Sequence, residues 1–224
     1  MFLTQENVLL SLQNNPIFRE FPDEQLSILL KDSALKTFNK RTCFISSNLI
    51  SHYFYVIIEG RMKVYFYDES KDRKITLFIL TKHDVFNVYN LFDYTSYNVF
   101  YETLDDVTVI QTPINRFKKW MDDNPRFSSG ILHYLISKMK ALETYVTASC
   151  LDCTSTKLAR LLLKNAEINS SLIDGLPHKE IAQYMGTTRA VLNRHLQKFK
   201  NNGIIEIHNK TIRIVNLELL KKHI

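Results

Sequence analysis

The spacing of apolar positions changes several times along the chain, and each change marks a change of element. From about residue 5 to 32, Val8, Leu9 and Leu12, then Phe18 and Phe21, then Leu26, Ile28, Leu29 and Leu30 predict short helices, punctuated by Asn15-Pro16 and Phe21-Pro22. From Leu35 the pattern becomes that of strands. The runs are Leu35–Phe38, Thr42–Ile45, Tyr53–Glu59, Arg61–Tyr67, Lys74–Leu80, Asn98–Leu104 and Val107–Thr112, separated by polar stretches such as Asp68-Glu69-Ser70-Lys71-Asp72. Strands at this regular, short spacing predict an antiparallel barrel or sandwich. Pro113 then opens a short helix with Ile114, Phe117 and Trp120, and a long helix is expected from about Asn124 to Ser149. Within it Leu132, Leu135, Met139, Leu142 and Val146 form a heptad seam, while Ile131, Tyr134, Ala141 and Tyr145 form a second apolar stripe. A helix lying on one core needs one stripe. Two predict packing on its own domain along one side and on the same helix of a second copy along the other; the plain alternative is a single amphipathic helix on its own core.

A hinge around Cys150–Thr154 leads to a helix capped by Thr154 or Ser155 and carrying Leu158, Leu161, Leu162 and Ala166. After a polar connector, Pro177–Phe199 breaks into a short helix (His178–Tyr184), a turn at Gly186 and a second helix from Thr188. Ala182 is small enough to let two helices cross closely, and Gly186 can take the positive φ that a tight interhelical turn requires. Ile181, Met185, Leu192, Leu196 and Phe199 are the expected buried faces. Thr188, Arg189, Ala190, Asn193 and Arg194 fall on the opposite face, where a helix lying in a major groove would present them. Ile204–Ile207, the turn His208-Asn209-Lys210 and Thr211–Val215 read as a β-hairpin wing. A helical packing unit with no role on DNA is the plain alternative.

Charge separates these readings. The formal net charge is +6. Residues 1–147 carry 17 Lys/Arg and 17 Asp/Glu, whereas residues 148–224 carry 12 and 6, so the whole excess lies behind the long helix. A neutral front and a basic back predict that the polyanion partner is met at the C-terminus. The five glycines stand alone, so neither a phosphate-cradling P-loop nor a dinucleotide loop can be written, and no nucleophile–base arrangement points to an enzyme. Gln5, Glu6, Asn7, Gln13 and Asn14 interrupt the first residues as a signal peptide would not allow, and no apolar run is long enough to span a bilayer. A cytoplasmic protein without a membrane partner is expected.

The order of these parts resembles the Crp/Fnr family of bacterial transcription regulators over roughly residues 12 to 216. The resemblance is carried by Tyr53–Gly60 and by Glu180–Ile205, with Glu-Ile-Ala, Met-Gly-Thr-Thr-Arg, Asn-Arg-His-Leu and Asn-Gly-Ile-Ile. It implies an α+β chain. Residues 1–123 would form an antiparallel β-roll of the jelly-roll type that senses a signal, 124–150 a dimerisation helix (Leu132, Leu135, Met139, Leu142, Val146), and 151–224 a winged helix-turn-helix. It further implies a homodimer on a pseudo-palindromic operator in double-stranded DNA, with RNA polymerase as a further partner. Arg189 and Arg194 would read bases, and Lys179, Lys198 and Lys210, with Thr188, would hold phosphates. Many members carry a glutamate after the first arginine; Ala190 stands there, which predicts a different half-site. His195 falls where the family has an inward aliphatic residue and is read as a satisfied core histidine.

The same resemblance locates the family's cyclic-nucleotide cassette at Phe86–Phe92 and Asn98-Val99. Val88 stands in place of the ribose-binding glutamate, Asn98 in place of the phosphate-pairing arginine, and Leu142-Glu143 where hydroxyls would meet the base. Without that arginine the phosphate has no bidentate partner, so cyclic AMP is not expected as the effector. An apolar pocket for an unknown small molecule, lined by Tyr89, Phe92, Tyr97, Asn98, Phe100 and Leu142, with Tyr101, is one reading; aromatics that simply fill the roll are the other. No cofactor is expected. Cys150-x-x-Cys153 offers two of the four ligands a zinc or iron–sulfur site needs. Two chains could together supply four, or the pair could oxidise; the plain reading is small apolar residues at a hinge. The competing function is a small-molecule-sensing or protein-interaction module with an incidental basic tail.

Overall fold

The computed structural model describes residues 5–45, 49–92, 99–167 and 172–224. The chain divides into two compact units, residues 1–67 with 79–140 and residues 68–78 with 141–224. The first unit begins with α1 (Gln5–Gln13) and α2 (Asp23–Lys31). Eight strands follow: β1 (Ala34–Phe38), β2 (Cys43–Ile45), β3 (Tyr53–Glu59), β4 (Met62–Asp68), β5 (Arg73–Leu80), β6 (Val85–Phe86), β7 (Phe100–Thr103) and β8 (Val107–Pro113). They form two four-stranded sheets, in the orders β1-β8-β3-β6 and β2-β7-β4-β5. The short α3 (Val88–Leu91) follows β6, and α4 (Ile114–Asp123) and α5 (Phe127–Leu151) follow β8.

The central strand β3 explains the arrangement. Its middle residues are all buried, the mark of a strand covered on both faces. Phe54, Val56 and Ile58 join Phe18, Phe117, Trp120, Phe127 and Ile131 in one apolar core that the helices cover. Phe54 lies 4.2 Å from Phe117, and Phe18, Phe117, Trp120 and Phe127 meet at centroid distances of 5.1–6.4 Å. The Trp120 indole donates to the Gln25 carbonyl at 3.0 Å, so its one polar atom is satisfied. On the other side of β3, Tyr55 stacks on Phe86 at 4.5 Å, and Phe86 reaches Tyr101 of the second sheet at 5.3 Å. Aromatic rings from both sheets thus meet inside the roll; of the aromatics singled out from the sequence, Tyr101 is among them. Burial and the neighbouring Tyr53 push the Tyr55 hydroxyl up to about 12, which keeps it neutral.

The second unit contains the remainder of α5, then α6 (Thr154–Glu167), α7 (His178–Tyr184), α8 (Arg189–Asn201), the antiparallel pair β9 (Ile205–His208) and β10 (Thr211–Ile214), and α9 (Leu217–Lys221). Its core is Leu158, Leu161, Leu162, Leu176, Ile181, Leu192, Leu196 and Phe199, all buried. Buried Asn165 pins the chain before α7: its oxygen accepts from the Leu172 and Ile173 amides, and its amide donates to Asp174.

Several boundaries differ from those read off the sequence. Asn124 closes α4, with its amide and side chain bonded to Met121 and Trp120, so α5 starts at Phe127 rather than Asn124. It then runs through Cys150 to Leu151, which shortens the hinge to Asp152 and Cys153. The Cys153 carbonyl, not Thr154 or Ser155, begins α6 by accepting from the Lys157 amide at 3.0 Å. The two-residue β6 and the terminal α9 were not foreseen. Among the described residues, no helix is long and apolar enough to cross a membrane.

Gly60, at the turn from β3 to β4, has φ 86°, and a Cβ there would stand 2.2 Å from the Asp106 carbonyl oxygen. Gly175 has φ 75° but open space around it. Urea unfolding should therefore show Gly175→Ala costing about 1–2 kcal/mol, the left-handed penalty alone, and Gly60→Ala costing clearly more than about 2 kcal/mol.

Candidate nucleic-acid interface

Two helices and a tight turn build the basic face. The α7 helix ends at Met185, Gly186 takes φ 67°, and the Thr187 amide bonds the Ala182 carbonyl at 2.9 Å. A Cβ on Gly186 would meet nothing within 4 Å, so glycine is required there for its backbone angle and not for space. Thr188 caps α8, its hydroxyl oxygen accepting from the Val191 amide at 3.3 Å. That leaves the amides of Arg189 and Ala190 at the positive end of the helix without an intrahelical acceptor. Ile181, Ala182, Met185, Leu192, Leu196 and Phe199 are buried, which fixes the rotation of α8 about its axis.

That rotation turns Thr188, Arg189, Ala190 and Arg194 outward, all four exposed. Asn193 lies on the same face but is half-buried, with Oδ1 2.6 Å from Nδ1 of His178 on α7. Its oxygen is thus taken up by the helix pair, and its amide N–H groups remain as donors. Lys179, Lys198 and Lys210 are exposed, and Lys210 sits with Asn209 in a two-residue turn in which both φ angles are positive. None of Arg189, Arg194, Lys179, Lys198 or Lys210 forms an ion pair among the described residues. Arg213 on the wing and Lys200 at the end of α8 are exposed in the same way and were not singled out from sequence. What this surface can do chemically is accept a polyanion: rigid guanidinium forks on a helix, with flexible ammonium groups around them.

The seam of α5 is equally open. Leu132, Met139 and Val146 are 56%, 57% and 52% exposed, and Leu135, Leu142 and Ile136 are exposed beside them. The other stripe is occupied: Ile131 is buried in the aromatic core, Tyr134 packs against it, and Tyr145 lies 6.4 Å from Tyr184.

The candidate effector residues do not come together as one lined cavity. Tyr89 and Phe92 are exposed, Phe100 stacks on Tyr65 at 5.2 Å, and Tyr101 is buried in the roll. Leu142 belongs to the other unit, and Tyr97 and Asn98 lie outside the described residues. Within the cassette, Val88 is buried, and the Asn87 and Asn90 amides donate to the Tyr53 and Ser51 carbonyls. Cys150 and Cys153 are free and exposed; hydrogen bonds from Thr156 hold the Cys153 thiol below its usual value.

Residues 156–223 match the family model of the Crp-like helix-turn-helix domain, and residues 35–124 match that of the cyclic nucleotide-binding domain. The chain belongs to the Crp/Fnr family of transcription regulators. It is 25% identical over 205 residues to the probable transcriptional regulator flp of Lacticaseibacillus casei, covering 91% of this chain and 93% of that one. It is 26% identical to the global nitrogen regulator of Nostoc sp. over 169 residues, 71% and 75% of the two chains. Among solved structures, a CooA mutant from Carboxydothermus hydrogenoformans superposes with a TM-score of 0.70 at 26% identity, over 86% of this chain and 88% of that one. FixK2 from Bradyrhizobium japonicum gives 0.76 at 15% identity, over 85% and 96%. Regulators of this Crp/Fnr type bind DNA through the helix-turn-helix and act as dimers. The basic segment of this Crp/Fnr regulator is accordingly a folded DNA-binding domain, and a module with an incidental basic tail is not favoured.

His195 differs from the reading of a satisfied core histidine. Its Nδ1 is shielded from solvent with no hydrogen-bond partner among the described residues, and burial, with Arg194 and Lys198, lowers its pKa below 6.5. The unfolded chain therefore takes up this proton first. The stability that depends on neutral His195 is complete above about pH 6.5 and is lost as pH falls through the lowered folded value. Replacing the ring with His195→Leu should make unfolding free energy fall less between about pH 7.5 and pH 5.5 than in the wild type, by denaturant titration at each pH.

Proposed function

We propose that this Crp/Fnr regulator works as a homodimer joined along Leu132, Leu135, Met139, Leu142 and Val146. Its two α8 helices would enter successive major grooves of a pseudo-palindromic site, with half-sites about 34–36 Å apart. The observation that carries the reading is the outward face of α8, where Arg189 and Arg194 are exposed and unpaired on a helix whose rotation is fixed by its buried side. These two arginines read guanine edges, Ala190 offers only a methyl contact, and the Asn193 amide donates to a base acceptor. Thr188 and the lysines 179, 198 and 210 hold phosphates. Residues 1–123 act as the sensor, 124–150 as the dimer helix and 151–224 as the reader, with RNA polymerase as the further protein partner. The effector is a small molecule other than cyclic AMP. Apolar Val88, asparagines already bonded to carbonyls, and a roll packed with rings support this.

Binding to an operator selected from random DNA tests the reader. Arg189→Ala should cost about 1–3 kcal/mol on the operator and little on unrelated DNA, whereas Lys210→Ala should weaken both equally and reduce the salt slope by about one. Equal losses for Arg189→Ala on both DNAs would remove its base-reading role. Met139→Glu places a charge in the seam and should give monomers by sedimentation, with loss of operator binding; an intact dimer would refute the seam. Isothermal titration with cyclic AMP should show no micromolar binding.

A further inference from the structure

Residues 1–147 are neutral in total charge, yet the first unit has a cleft that is not neutral. Three separate stretches of chain enclose a space of about 650 Å³: the turn after α1 (residues 14–21), the β5–β6 turn (82–84), and Arg126 with the first half of α5 up to Lys138. This is the size of a small-metabolite site, commonly about 300–1,000 Å³. Four cations line it, Arg19, Lys82, Arg126 and Lys138, against two acids, Glu20 and Asp84.

Asp84 is already satisfied. Its Oδ1 accepts from Lys138 Nζ at 2.5 Å and from the Tyr134 hydroxyl at 3.1 Å, and its Oδ2 accepts from the Thr81 amide at 2.8 Å. Arg19, Lys82 and Arg126, one from each wall, are exposed, and none has an ion pair among the described residues. Three unpaired like charges facing one concavity repel each other, and a concave wall concentrates their field on whatever anion enters. The walls are held close by Gly130, where a Cβ would stand 2.7 Å from the Ile17 carbonyl oxygen, and by the Asp84–Lys138 pair.

The cleft is also separate from the surfaces already described. Its residues include none of the cassette from Phe86 to Val99. At about 100° per residue, His133 and Ser137 lie on the side of α5 roughly opposite the Leu132–Val146 seam, and Arg126 precedes the helix, so pairing of two copies through that seam leaves this side of the cleft open.

We infer that this cleft binds a small polyanion, a phosphate ester or a polycarboxylate, through Arg19, Lys82 and Arg126. Such a ligand touches the N-terminal turn, the roll and the first half of α5 at once, and so braces the helix on the roll. A monoanion gains too little from three separated cations, and a long polymer is too large for the space. The inference does not depend on the base-reading roles assigned to α8.

The test uses the full-length chain and two probes, inorganic pyrophosphate and citrate, by isothermal titration with sodium chloride balancing ionic strength. At least one probe should bind saturably, and Arg19→Ala with Arg126→Ala should weaken it about tenfold or more. Lys82→Gln, a single exposed change, should weaken it by a smaller factor, and Lys198→Ala with Lys210→Ala should leave it unchanged. Circular dichroism checks that each variant is folded. Binding of pyrophosphate alone identifies a phosphate ligand, and binding of citrate alone a polycarboxylate. Absence of saturable binding up to about 10 mM overturns the inference. So does binding that survives all three cleft substitutions, or binding that disappears with the Lys198 and Lys210 changes, which would put the anion on the DNA-binding domain.

Discussion

A 25-residue helix, about 38 Å long, that must bury two apolar stripes sets the terms for the rest of this protein. At its first turns α5 is anchored by Phe127 and Ile131 in the aromatic core under the first sheet, where each fully buried ring or branched chain contributes about 1.5–3 kcal/mol. That anchoring uses up one stripe. The seam that remains exposes five large apolar residues in heptad register, and a row of that kind is stable in water only when another surface covers it. A second copy of the same helix fits the register without any further element. Pairing of two copies through this row, as proposed above, follows from the way the first unit uses up the other stripe.

In the second unit the controlling constraint is polar. Buried Asn165 and the Thr188 cap satisfy the backbone where chain direction changes, and the apolar side of α8 locks its rotation. Among the described residues, no acidic neighbour forms an ion pair with Arg189 or Arg194. Exposed and unpaired on a fixed face, they are free to take phosphates and base edges as partners, the role proposed above. Asn193, with its oxygen 2.6 Å from His178 Nδ1, is tied to the helix pair as well as to the outward face.

Legibility in the sequence tracked how local each feature is. Each of the seven apolar runs corresponds to a strand because four to eight strand-forming residues bounded by polar turns are a strong signal, whereas β6, two residues long, is too short to give one. The helix-turn-helix was readable to the residue, since a positive-φ glycine, a threonine cap and a buried face all fall within some twenty positions. Lys63 was not: it looks like an outward charge on β4, yet it is 4% exposed, paired with Glu102 on β7 at 3.1 Å and lying over the Tyr65 ring. His195 looked like an aliphatic substitute and has a shielded nitrogen without a partner. Both depend on what another strand or helix brings up, which no window of sequence contains.

The basic cleft is the extreme case of that non-locality, and it bears on where a signal could enter. Arg19 and Arg126 are more than a hundred positions apart, and the summed charge of the front half hides them completely. Inside the roll, Tyr55 stacks on Phe86, and Phe86 lies 5.3 Å from Tyr101 of the second sheet. The cation-lined cleft is walled by the N-terminal turn, the roll and the start of α5 together, so an anion bound there, as proposed, would act directly on the contact between roll and helix.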